Sequence, residues 1–275
     1  MTYMIRPRIE YYDLDKIIDE APMKKGKNIL EKKVKEEDLG EGDGKGKSKT
    51  EKIEPVEFNL NLTKSDYVHI PKQEFVTAIA ETDFNLNYEE VHKAVLKKGL
   101  AVPEISQFMT FHNYIIDCYK NKKQIFDAGG NPLSNKIKND LYKQLTENCW
   151  TWLNGLFHLS GDKKTIEKVI GLDSNDILLT KREDLENYLE ENCYADFIKL
   201  NKQGIPNSNA KFFKQDFVEG KNIYFYKPAD ERVARFYADS DRAYLYCCRI
   251  SSVRDSSLGV RAVGTNKVLL AGEIK

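Results

Sequence analysis

RVARFYADSDRAYLYCCRISSVRDSSLGVRAVGTN, residues 232–266, is the stretch from which the rest of the chain is read. It contains no Lys, Glu, Gln, Met or Trp, although these five types make up roughly a quarter of the whole chain. Charge itself is not excluded, because Arg235, Asp239, Asp241, Arg242, Arg249, Arg254, Asp255 and Arg261 are all present. What the missing types share is the genetic code: each of their codons needs a purine in the third position. Every residue that is present can be written with a codon ending in C. A physical rule for cores or surfaces would not spare Arg and Asp while excluding Lys and Glu, whereas a bias acting on codons would.

The same stretch alternates as a pair of strands does. In extended chain Tyr237, Asp239 and Asp241 fall on one side, and Tyr244, Tyr246 and Cys248 share a face opposite Leu245 and Cys247. Leu245, Cys247, Leu258 and Val260 are read as inward, the Tyr and Asp set as outward. Tyr interleaved with Ser, Asp and Arg is the chemistry of recognition loops: Tyr gives a large, stiff contact area at low entropy cost, and Ser and Asp adapt their hydrogen bonds. The outward set assigned to ligand binding is Tyr237, Asp239, Asp241, Tyr244, Tyr246, Cys248, Ile250, Val253, Arg254 and Asp255.

The framework around that set carries a resemblance. Val233 to Phe236 (VARF), Ser240, Arg242 with Ala243, Leu245, Cys247, Arg249 and Leu258 to Ala262 (LGVRA) resemble the C-terminal variable region of diversity-generating retroelement variable proteins of the archaeal and archaeal-virus type. The likeness extends upstream to about Tyr67, through HIPKQEF, NYEEVHKAVLKKGLAVPEISQF, ENCWTWLNGLF and KPADERVARF. The resemblance implies a reverse transcriptase that miscopies a template at adenines and rewrites chosen codons. It also implies a C-type lectin fold: an α+β chain with two or more amphipathic helices backing a mainly antiparallel sheet, here with an N-terminal extension. On that fold the rewritten side chains form the binding face, and Phe236, Arg242, Leu245, Cys247, Leu258, Gly259 and Arg261 are the frame. The expected partner is a macromolecular ligand, a protein, with no cofactor and no enzymatic activity. The calcium-binding triplets of sugar-binding lectins are not found, and KPAD at 227–230 does not replace them.

Composition bounds the alternatives. Lys+Arg and Asp+Glu are both 43, so no basic field argues for nucleic acid. No apolar run approaches the roughly 20 residues that span a bilayer, and the acidic, interrupted start does not read as a signal peptide. A cytoplasmic or virion-associated location is therefore expected. The five cysteines, Cys118, Cys149, Cys193, Cys247 and Cys248, have no metal spacing, and their odd number argues against a disulfide framework. His69, His92, His112 and His158 form no HxxH or HxxxH pair. There is no nucleophile elbow, phosphate loop or calcium loop, so no catalytic and no metal-ligating residue is assigned. Two other readings stay open: an oxidoreductase of the formylglycine-generating type using Cys247 or Cys248, and a structural virion subunit without ligand.

The chain divides into an arm (1–22), a flexible linker or loop rich in Lys, Glu, Gly, Ser and Asp (23–54), and a lectin-like domain (55–275) with its variable region at about 232–262. Within the domain, alternation marks a strand at Val56–Leu62 and extended or short helical pieces at Tyr67–Ile70 and Phe75–Ala80. Asn87 with Glu90 caps a helix that Gly99 stops. Pro103 opens a second helix through Tyr119. DAGGNP at 127–132 is a turn, and Ser134 caps a helix carrying Ile137, Leu141, Leu145 and Cys149. CWTWLNGLFHL at 149–159 reads as a core strand, or alternatively as an aromatic platform for stacking a sugar. Thr180 with Glu183 reads as a capping box for a helix to about Asn192, with Leu185, Tyr188, Leu189 and Cys193 inward. Asn222–Tyr226 is a strand, and 267–274 a last strand or tail.

Overall fold

The computed structural model describes residues 63–212 and 216–265. The expectations for the arm, the charged linker, the Val56–Leu62 strand and the 267–274 tail lie outside them. A short turn at Lys64–Asp66 leads into β1 (Tyr67–His69) and β2 (Phe75–Ala78), followed by α1 (Tyr88–Leu96), α2 (Ile105–Lys120), β3 (Phe126–Asp127) and α3 (Asn135–Glu147). Then come β4 (Asn148–His158), β5 (Thr165–Leu172), β6 (Leu178–Asp184), β7 (Cys193–Asp196), β8 (Asn222–Tyr226), β9 (Arg232–Asp239), β10 (Arg242–Arg249) and β11 (Val263–Thr265). The architecture is α+β, with three helices and two mainly antiparallel sheets. The larger sheet runs β6-β5-β4-β9-β10-β8-β7 and the smaller β11-β2-β1-β3. The one parallel pairing within these sheets is β8 with β10.

Strand alternation decides what each face of the large sheet meets. Cys149, Leu153 and Phe157 of β4, Ala234, Phe236 and Ala238 of β9, Leu245 and Cys247 of β10 and Ile223 and Phe225 of β8 point one way. They pack with Phe108, Met109, Phe111 and Ile115 of α2 and Leu141 and Leu145 of α3 in the main core. Each fully buried Leu, Ile, Phe or Met among them is worth roughly 1.5–3 kcal/mol. The opposite face is covered at one end. There Trp152 and Val233 meet Tyr88, Val91 and Val95 of α1 and the Leu258–Ala262 segment in a second core.

Local signals explain the helices. Asn87 and Glu90 form a reciprocal capping box, and Gly99 takes a left-handed φ of 74° that lets Leu100 N–H close back on the Val95 carbonyl. Ser134 Oγ accepts from Ile137 N–H, but Ile137 itself is exposed and Cys149 belongs to β4. Pro103 does not open α2: the N-cap is Glu104, whose N–H bonds to Gln107 Oε1 at 2.9 Å.

The expected helix at 180–192 is corrected. Residues 178–184 are the edge strand β6, paired antiparallel to β5. The Thr180/Glu183 signature competes with cross-strand charge pairs that only the strand supplies. Arg182 Nε lies 2.5 Å from Glu167 and Lys168 Nζ 3.1 Å from Glu183. A charged edge also discourages further strand pairing. Leu185, Tyr188 and Leu189 still pack against the main core, from irregular chain rather than a helix.

Candidate functional site

The open part of the large sheet is a ladder of rings built by strand register. β10 pairs β9 with Tyr244 opposite Tyr237 and Tyr246 opposite Arg235. β4 sets Trp150 opposite Tyr237 on the other side of β9. β8 sets Tyr224 beside Tyr244 and Tyr226 beside Tyr246, and β7 sets Tyr194 opposite Tyr224. Because same-face neighbours in paired strands lie about 5 Å apart, the rings must touch. Trp150 meets Tyr237 edge-on at 5.4 Å between centroids, and Tyr237 stacks on Tyr244 at 5.8 Å. Tyr244 stacks on Tyr246 at 5.3 Å, Tyr246 on Tyr226 at 4.6 Å, and Tyr194 meets Tyr224 edge-on at 5.1 Å. Three guanidiniums sit over the rings: Arg235 over Trp150, Arg249 over Tyr246 at 4.2 Å and Arg242 over Tyr244 at 5.6 Å.

Polar contacts fix the hairpin tip. Asp239 accepts from the Tyr237 hydroxyl at 2.8 Å, from Arg242 Nε at 3.1 Å and from Asp241 N–H at 3.0 Å. Burial would raise the Asp239 carboxyl, but these donors outweigh it and hold it below its ordinary range. Burial and the adjacent Asp239 push the Tyr237 hydroxyl up to about 12. Beyond β10, residues 250–257 dock on the start of α1. Ser251 O accepts from Tyr88 N–H, Asp255 O accepts from Asn85 N–H, and Arg254 pairs with Glu90.

The outward set separates into three groups. Tyr237, Asp239, Tyr244 and Cys248 lie half-buried on the ladder face, and Asp241 is exposed at the hairpin tip. Ile250, Val253 and Asp255 are half-buried and Arg254 exposed along the 250–257 segment, and the Asp255 charge reaches Arg235. Tyr246 is a correction. It has the expected face but is only 5% exposed, packed among Tyr226, Tyr244, Arg235 and Arg249. In the frame, Phe236, Leu245, Cys247 and Leu258 are fully buried. Gly259 is needed for contact: a Cβ there would lie 2.6 Å from the Phe84 ring and 2.9 Å from Thr82 O. Its backbone accepts from Trp152 N–H and donates to Trp150 O. Arg261, 1% exposed, clamps β2 and α3 through the Ala78 and Ile79 carbonyls and Gln144 Oε1. Arg242 of the frame is exposed on the ladder face, over Tyr244.

Trp150, Arg235, Tyr194, Tyr224 and Tyr226 belong to the same surface and were not in the set read from the sequence. Period-two alternation in NIYFY could have found Tyr224 and Tyr226. The paired tryptophans divide: Trp152 is core, with Nε1 donating to Leu86 O, while Trp150 is half-buried at the ladder's edge. Cys247 and Cys248 fall where the β10–β9 register shifts, Cys247 buried in the main core and Cys248 half-buried, and both are free. Burial raises both thiols above their ordinary range. Among the described residues no three His, Cys, Asp or Glu side chains gather as a metal site, and no helix is long and apolar enough to cross a membrane. A groove of about 520 Å³ lies between α1 and the β5–β6 hairpin. It contains none of the outward set, and the Lys93 and Glu89 on its wall pair with each other at 2.6 Å. No family model, curated protein or solved structure matches this chain.

Proposed function

We propose that this chain is a display protein: a C-type lectin-like frame whose C-terminal segment is rewritten by adenine-directed mutagenic reverse transcription to bind changing macromolecular, protein ligands. One observation carries the reading. The segment without purine-ending-only residues coincides with β9, β10 and the chain up to β11, and its outward side chains lie together on the ladder face and the adjoining rim. Inward neighbours one residue away, such as Phe236, Leu245 and Cys247, sit in the main core. Such an arrangement lets side chains change on one face without disturbing packing on the other. Aromatic and Arg positions in the ladder are the residue types that dominate interface energies.

The formylglycine-type alternative is weakened by the geometry of its two thiols. Adjacent cysteines in one strand bridge only with distortion, and burial raises both thiols, which disfavours the reactive thiolate. The display reading is tested by randomising the outward codons, all but that of the buried Tyr246, as NNC in a surface-display library. Most members are expected to fold, as read by protease resistance, and selection on unrelated protein targets should yield distinct binders. If randomising these positions unfolds the domain as often as randomising an equal number of inward positions of β4, β9 and β10, the reading is wrong.

A further inference from the structure

Arg235 lies beneath the ladder, 4% exposed, with its guanidinium carbon 4.7 Å from the Trp150 centroid and 5.4 Å from that of Tyr246. Both contacts are to ring faces. No hydrogen bond or ion pair to Arg235 is made by the described residues. Its Nε is buried without a partner, and so is Trp150 Nε1. Cation–π attraction recovers only part of what a guanidinium loses on leaving water. The surroundings add to the imbalance. Burial, and then the charge of Arg249, pull Arg235 down to about 9, with Asp255 acting the other way from beyond contact distance. Asp239, on the same face of β9, is already engaged by Tyr237, Arg242 and the Asp241 amide. Two donors, on a guanidinium and the indole ring it packs against, are thus buried in this face with no acceptor supplied by their own strands. Buried unsatisfied polar groups are rare in native proteins and call for an explanation.

We propose that Arg235, with the Trp150 indole N–H, is an anion anchor: the ligand of this face presents an Asp or Glu side chain, whose carboxylate seats on the guanidinium while flanking residues lie on the tyrosines. The inference rests on the display reading and adds to it the chemistry of the partner. Arg235 stands outside the ten outward positions, so the anchor is a fixed feature under a changing surface. A planar guanidinium presents paired donors that match a carboxylate, and such charge-assisted bonds are the strong ones.

The test pans a random peptide library on phage against the full chain. Selected peptides are then titrated against the wild type, Arg235→Met, Arg235→Lys and Tyr244→Ser. Expected are binders enriched in Asp and Glu, weakened at least tenfold by Arg235→Met and partly restored by Arg235→Lys. Replacing the key acidic residue of a peptide by its amide should cost as much and remove the sensitivity to Arg235→Met. Arg235→Met should melt no earlier than the wild type, because it removes a buried charge that has no partner. An earlier melt would make Arg235 structural and overturn the proposal. Binders without acidic enrichment, lost on Tyr244→Ser but indifferent to Arg235→Met, would overturn the anchor and leave the display reading standing. Absence of binders, or binders indifferent to both residues, would overturn the two together.

Discussion

Tyr244 and Leu245 are neighbours in the chain and opposites in the fold, one half-buried on the ladder and the other fully buried in the main core. Leu245→Asp removes packed methyls and buries a carboxylate without a partner, a loss of about 5 kcal/mol or more that should unfold the domain in a thermal melt. Tyr244→Ser gives up ring contacts at a half-open site and should cost about 1 kcal/mol by urea denaturation. Tyr246→Ser falls between them, at about 3 kcal/mol, because this ring is buried under Arg249 and Tyr226. Alternation in the sequence read the face of Tyr246 correctly but could not reveal its cover, which comes from Arg249 and from Tyr226 of β8, a strand whose parallel pairing with β10 has no local signal. Gly259→Ala should cost about 1–3 kcal/mol, since the Phe84 ring can swing aside but the Thr82 carbonyl cannot.

At the scale of elements, capped helices and alternating strands were readable because their signals are local. The Asn87/Glu90 box and the Gly99 stop lie within the helix they define. The error at Thr180–Asn192 has the same origin: a local capping signature was outweighed by partners on β5 that a linear reading does not see. That edge makes a pH prediction. Burial alone would raise Glu167 and Glu183, but Arg182 and His158 around the first, and Lys168 and Lys181 around the second, outweigh it and hold both below the ordinary 4.5. A folded-state value below the unfolded one means that the unfolded chain takes up the proton first as pH falls. The stabilisation is therefore present above about pH 4.5 and is lost as pH drops through the folded values. Relative to the intrinsic exchange rate at each pH, amide protection in β6 should fall on acidification from pH 6 to pH 3 before protection in β4 and β9 does. Parallel loss of protection in all three strands would show that the carboxylates do not hold the edge.

For the whole molecule, the α+β class was legible from its helices and alternating strands. The layering was not, because α1 and α2 sequences look alike in amphipathicity yet cover opposite faces of the large sheet. The difference lies in which strand residues await them: Trp152 and Val233 for α1, Phe236 and Leu153 for α2. That division leaves one end of one face open, and there the segment that lacks Lys, Glu, Gln, Met and Trp places its outward side chains. The central claim is that a copying process, acting on codons, chose those side chains. Sequencing the encoding locus tests it most directly. The account predicts a near-identical second copy of the coding segment for residues 232–262, beside a reverse-transcriptase gene, with differences confined to template adenines in codons of the outward set. A locus without such a copy, or one whose differences fall in the codons of Phe236, Leu245 and Leu258, would contradict it.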